Sequence, residues 1–203
     1  MKRIFLFAFV GLVALASCNQ SAPEKTIANL KDGIKGETTA SAKYSAFAQK
    51  AREEGYDTIA KLFDAASKAE MIHATNHTKV LTDLGVAMEA FNPEFEVKTT
   101  AENLQAAITG ETYEIDSMYP RFLDDAKAEK VEKATKSFTW AMDTEKKHQS
   151  FYAASLEALN GAGEKTLPFE YFVCPVCGNT YDKATLEPKC GFCQTDQEKF
   201  IAI

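Results

Sequence analysis

One pattern constrains this chain more than any other: a signature of acid and imidazole that occurs twice. Glu70-x-x-His73 returns as Glu145-x-x-His148, and "IKGET" around Glu37 returns as "ITGET" around Glu111. The spacing is nearly kept, with 33 residues from Glu37 to Glu70 and 34 from Glu111 to Glu145. Each acid falls on an otherwise apolar stripe that steps by three and four, the period of one helix face. The stripes predict four long helices, over about 26–54, 57–84, 100–128 and 130–159. Gly55 and Gly85 stop the first two, and Pro120 is expected to kink the third. Two similar helix pairs imply a pseudo-twofold bundle with matching sites facing one another.

The connections set the topology. Short links after the first and third helices make antiparallel neighbours. The middle link, 86–99, reaches about 48 Å when extended, against about 42 Å for a helix of this length. It can therefore run from one end of the bundle to the other. The fold expected is an all-α four-helix ferritin-like bundle with one long crossover.

Carboxylates in an apolar stripe need a reason. Glu37, Glu70, Glu111, Glu114 and Glu145 sit at similar depth, and His73 and His148 join them. Bare carboxylates in hydrocarbon cost several kcal/mol each, and five together repel. Two multivalent cations remove both objections, and oxygen with imidazole suits iron or manganese. One Glu from each of two helices plus Glu-x-x-His from each of the other two is a recurrent dimetal ligand set. Glu114 is one acid more than that set requires. Tyr44, seven residues after Glu37, and Tyr119, eight after Glu111, are placed either to bond these carboxylates or to pack as core aromatics. His77, one turn beyond His73, reads as a core histidine bonded to a neighbour.

The chain's end holds a different chemistry. Cys174-Pro-Val-Cys177 and Cys190-Gly-Phe-Cys193 are paired knuckles, with twelve residues between them. Such spacing fits a tetrahedral sulfur site for iron or zinc better than it fits two disulfides. So short a segment draws much of its stability from a metal.

"GETTASAKY", "EMIH", "GETYEIDSMYP", "EKKH" and "CPVCG" together resemble the rubrerythrin family over about residues 26–203. The resemblance implies two irons in the bundle and one iron in a rubredoxin-like four-cysteine domain, with zinc as the alternative there. It implies that Glu70 and Glu145 bridge the irons. Glu37 with Glu114 or His73 would complete one iron, and Glu111 with His148 the other. Glu114 and His73 would exchange as the iron changes charge, and Tyr44 and Tyr119 would bond ligand carboxylates. A homodimer is also implied. The second knuckle departs from the family form, with Gly191 where proline is usual.

The division expected is a signal segment over 1–17, a lipidated tether over 18–25, the bundle over 26–159, a linker over 160–170 and the cysteine domain over 171–203. "MKRIFLFAFVGLVALAS" has a basic start, an apolar stretch and small residues at its end. It runs into "LASC", which resembles a lipoprotein signal with Cys18 as the lipidated residue. That implies an exported chain, held by lipid to a bacterial membrane and facing the periplasm. A net charge of −6 without a basic run excludes a nucleic-acid binder. The reading that follows is a non-haem diiron peroxidase that reduces hydrogen peroxide with electrons from an external donor. The alternatives are a ferroxidase or iron-binding protein, and a non-enzymatic zinc-ribbon lipoprotein.

Overall fold

The computed structural model describes residues 22–161 and 163–203. The expected signal segment and Cys18 lie outside the described residues.

Helices α1 (Glu24–Glu53), α2 (Asp57–Asp83), α3 (Thr100–Tyr113), α4 (Tyr119–Ala128) and α5 (Glu132–Asn160) form the bundle. α1 packs along α2, and α3 along α5. Gly55 and Gly85 end the first two helices at φ of +85° and +78°, a conformation that glycine adopts without steric cost. The 86–99 segment is irregular and runs the length of the bundle. Its end is fixed twice: Thr99 and Glu102 form a reciprocal cap on α3, and Glu54 at the end of α1 accepts from the backbone of Thr100 at 2.9 Å. At the opposite end Glu129 accepts from the backbone of Lys25 and Thr26, at 3.1 and 2.8 Å.

The third predicted helix is not a kinked α-helix. A π-helical turn, Glu114–Met118, separates α3 from α4, and the Tyr119 N–H bonds the Glu114 carbonyl five residues back. Pro120 has no N–H to give the preceding turn, and the wider turn absorbs that defect. It also accommodates one extra residue. This is the residue by which the two halves of the repeat differ, since Tyr44 follows Glu37 by seven and Tyr119 follows Glu111 by eight.

Two apolar layers sandwich the acids. One holds Tyr44, Phe47, Leu62, Phe63, Leu104 and Tyr152; the other holds Leu30, Ile34, Leu81, Phe122 and Phe138. Each buried large side chain contributes roughly 1.5–3 kcal/mol, enough in sum to hold a charged layer between them.

The cysteine segment builds a three-stranded antiparallel sheet from β1 (Tyr171–Val173), β2 (Thr180–Asp182) and β3 (Ile201–Ala202), in the order β2-β1-β3. Phe172 pairs with Tyr181 on one side and Ala202 on the other. Among the described residues no helix is long and apolar enough to cross a membrane.

Candidate metal centre

The helix stripes converge as their spacing requires. Glu37, Glu70, His73 and Glu145 bring ligand atoms within 4.8 Å of one another; so do Glu70, Glu111, Glu145 and His148. Glu70 and Glu145 belong to both groups, so two ion-sized positions share a wall. All six side chains are buried. Glu114, half-buried at the start of the π turn, stands outside both groups, and His73 supplies the nitrogen on that side.

The polar atoms here are left short of partners in a way that fits cations. Glu37 Oε2, Glu70 Oε1, both Glu145 oxygens and His148 Nδ1 are buried without a hydrogen bond. His148 Nδ1 lies 2.9 Å from Glu145 Oε2 and 3.1 Å from Glu70 Oε1 without the alignment of a bond. Its other nitrogen, Nε2, pairs with Thr180 Oγ1 at 2.9 Å, which fixes the ring and leaves Nδ1 free to ligate. Orphaned buried acceptors are costly, and an oxygen-rich set with two imidazoles suits iron.

Without cations the charges compensate each other. Burial pushes Glu37 well above the usual carboxylate range, with Glu114, Glu70 and Glu145 adding repulsion. Glu111 is raised for the same reasons, as is Glu114. Burial also acts to raise Glu70, but the imidazoles of His148 and His73 outweigh it and hold the acid at about 2. Burial opposes charge on His73, yet Glu145 and Glu70 carry it up to about 9. Protons therefore occupy the places that cations would take.

Both tyrosines bond carboxylates, across the pseudo-twofold axis. The Tyr44 hydroxyl donates to Glu111 Oε1 at 2.7 Å, and the Tyr119 hydroxyl donates to Glu37 Oε1. Each reaches the acid of the opposite half, and only the tertiary pairing shows this.

The four cysteines form the second centre. All are free, their sulfurs lie within 4.8 Å of one another, and Cys174 with Cys193 and Cys177 with Cys190 are each 3.4 Å apart. The edge of a tetrahedron with metal–sulfur bonds of about 2.3 Å is of order 3.7 Å, so four thiolates fit around one ion. Both knuckles close alike, Gly178 bonding the Cys174 carbonyl at 3.0 Å and Gln194 that of Cys190 at 2.9 Å. Gly178 has φ +82° and Gln194 +63°; the second costs about 1–2 kcal/mol in a residue with a Cβ.

The linker leaves this domain free to dock on its own bundle or on a partner's, and here it lies on its own. Thr180 meets His148. The Lys147 ammonium donates to Asn179 Oδ1 at 2.6 Å, and Asn76 Nδ2 to the Val176 carbonyl at 2.9 Å. Gly178 is pressed so closely on His73 that a Cβ there would stand 2.3 Å from Nε2. The sulfur site and the acid layer thus touch through two imidazoles.

Comparison with known proteins gives one answer. The rubrerythrin family model matches residues 28–156. Nigerythrin of Nitratidesulfovibrio vulgaris is 34% identical over 192 residues, covering 91% of this chain and 89% of that protein. Rubrerythrin-2 of Clostridium acetobutylicum is 31% identical over 175 residues, covering 86% and 94%. A solved structure of nigerythrin in its fully reduced, all-ferrous state superposes with a TM-score of 0.78 at 31% identity, covering 100% of both chains.

Proposed function

We propose, for a chain that belongs to the rubrerythrin family, the two-electron reduction of hydrogen peroxide to two waters with uptake of two protons. Supporting this is the four-cysteine domain docked on the acid layer, touching His73 through Gly178 and His148 through Thr180.

In this reading Glu37, Glu70, His73, Glu111, Glu145 and His148 hold two irons, with Glu70 and Glu145 shared between them. Cys174, Cys177, Cys190 and Cys193 hold a third. When bound there, an iron pair would supply two electrons at one place and polarisation of the O–O bond. The protein's own groups do the rest. Tyr44 and Tyr119 each occupy one oxygen of a carboxylate and so orient it. Thr180 fixes the His148 tautomer. Glu114 sits where the π turn interrupts regular helix bonding, a segment that rearranges at low cost. This suits the exchange with His73 that the resemblance implies. A carboxyl beside the ligand groups is also placed to pass on a proton. The backbone from Cys177 to Gly178, against His73, and Thr180, against His148, offer short paths for single electrons.

A ferroxidase needs no reductive wire, and that reading leaves the docked cysteine domain without a use. A non-enzymatic zinc-ribbon protein leaves the converged bundle ligands without one. An external donor must refill the four-cysteine iron. Lipidation of Cys18 would hold the chain on a membrane surface outside the cytoplasm, and pairing into a homodimer follows from the resemblance. Stopped-flow mixing of the fully reduced protein with peroxide and with oxygen tests the function. The expected result is faster oxidation by peroxide, with the cysteine iron oxidised after the pair. Faster oxidation by oxygen would overturn the reading.

A further inference from the structure

The two halves of the bundle differ at one polar cluster. His77 follows Glu70 by seven residues, and the residue seven after Glu145 is Tyr152. Ser137 precedes Glu145 by eight, and the residue eight before Glu70 is Leu62. Gly33 precedes Glu37 by four, and its counterpart before Glu111 is Ala107. So the side of the acid layer next to Glu37 carries Gly, His and Ser, drawn from both repeats, where the side next to Glu111 carries Ala, Tyr and Leu.

The three residues meet. His77 Nδ1 lies 2.7 Å from Ser137 Oγ, and Nε2 lies 3.2 Å from the Tyr119 hydroxyl. A Cβ at Gly33 would stand 3.0 Å from His77 Cδ2, so the glycine makes room for the ring. His77 is fully buried, and Ser137 behind it lines a surface cleft of about 300 Å³ with Asn76, Trp140 and Val176.

The directions of these bonds follow from counting hydrogens. Tyr119 has one, and it goes to Glu37 Oε1. Its oxygen can then only accept, so His77 Nε2 donates. His77 is fully buried, and the nearest Glu37 oxygen, at 3.9 Å, is out of hydrogen-bond reach, so a neutral ring is the form this site accommodates. Nδ1 then accepts, and the Ser137 hydroxyl donates. The chain points one way, from Ser137 through His77 and Tyr119 to Glu37. It leaves Glu37 Oε2, buried and unpartnered, as the oxygen facing His73 Nδ1 at 3.9 Å. On the Glu111 side Tyr44 has no imidazole behind it, and the Tyr152 hydroxyl has no hydrogen-bond partner.

We propose that His77 is a positioning residue: it locks the Tyr119 hydroxyl on Glu37, a lock that Tyr44 on Glu111 lacks, and so makes the two metal positions unequal. This rests on the reading of the bundle centre as a two-iron site.

The test uses the full-length protein loaded with iron(II) and challenged with a ferrous chelator. In His77→Leu one bundle iron leaves about tenfold faster while the other keeps its wild-type rate. His77→Gln restores most of the difference, because its amide can accept from Ser137 and donate to Tyr119. Ser137→Ala shifts the same phase in the same direction, by less. Nitrogen NMR of the zinc-loaded protein finds His77 protonated at Nε2. Wild-type release rates for both irons in His77→Leu would overturn the proposal, as would equal acceleration of both or a proton at Nδ1. If His77→Leu does not fold, His77→Gln, Ser137→Ala and the tautomer decide. A wild-type protein that holds no iron pair in the bundle would instead overturn the two-iron reading, and this inference with it.

Discussion

Gly178→Ala should separate the two metal centres while leaving both intact. The added Cβ would stand 2.3 Å from His73 Nε2, 2.6 Å from Cδ2 and 3.2 Å from the Ala69 carbonyl. His73 is buried and bonded to Glu70 at 3.0 Å, so the ring cannot simply turn away. Contact at about 3.5 Å against 2.3 Å means that the knuckle must retreat by about 1.2 Å. Such a shift breaks bonds that start at 2.9 Å, those of Thr180 with His148 and Asn76 with Val176. With the Lys147–Asn179 bond, the docking face loses roughly 1.5–4.5 kcal/mol at about 0.5–1.5 kcal/mol for each bond. Alanine at φ +82° adds about 1–2 kcal/mol of strain within the knuckle. The assay is the rate at which the cysteine iron is oxidised after the bundle irons meet peroxide, with protease sensitivity of the 160–170 link as a second readout. Oxidation should slow at least tenfold and cleavage should quicken, while the visible spectrum of the cysteine iron stays that of four thiolates. Unchanged transfer and unchanged cleavage would refute the docked geometry as the working one.

Three further outcomes follow from the same structure. Glu145→Gln removes a charge from both ligand groups, so both bundle irons should be lost together by metal analysis, whereas His148→Ala should cost mainly one. Lys147 lies 4.2 Å above the Tyr181 ring and bonds Asn179, whose amide reaches Cys190 Sγ at 3.6 Å. Lys147→Met should therefore lower the potential of the cysteine iron, by roughly 30–60 mV on a scale where tenfold is about 59 mV for one electron; Lys146→Met, at an exposed position, should not. At Glu129 burial acts to raise the carboxyl, but bonds from Thr26 and Lys25 outweigh it and leave it below its ordinary value. A depressed acid stabilises above its unfolded pKa of about 4.3 and loses that contribution as pH falls through the folded value. Glu129→Gln should thus cost about 1 kcal/mol in urea unfolding at pH 6, with the gap to wild type closing by pH 3.

Much of this was legible in the chain because it is local. Helix period, glycine stops and the types of ligand atom are written within a few turns, and an internal repeat says which turns must face one another. That is why Glu37, Glu70, His73, Glu111, Glu145 and His148 could be named together before any coordinates. The one-residue mismatch between the halves is visible in the spacings, and Pro120 marks the place as a kink. A π turn and a kinked α-helix leave the same trace in a stripe, and only backbone bonding tells them apart.

What lay beyond the sequence depends on contacts between residues far apart in the chain. The crossed pairing of Tyr44 with Glu111 and Tyr119 with Glu37 spans 67 and 82 residues. The lock of Ser137 on His77 spans 60. The seat of Gly178 on His73 is set by how a small sheet meets two helices. Apolar periodicity decides that a face is buried, but what it is buried against is a matter of shape and of which orphaned donor finds which acceptor. The amino-acid order therefore determined a layer of acids and imidazoles inside a bundle. Packing alone decided which oxygens of that layer remained free, and that the sulfur site would rest against it.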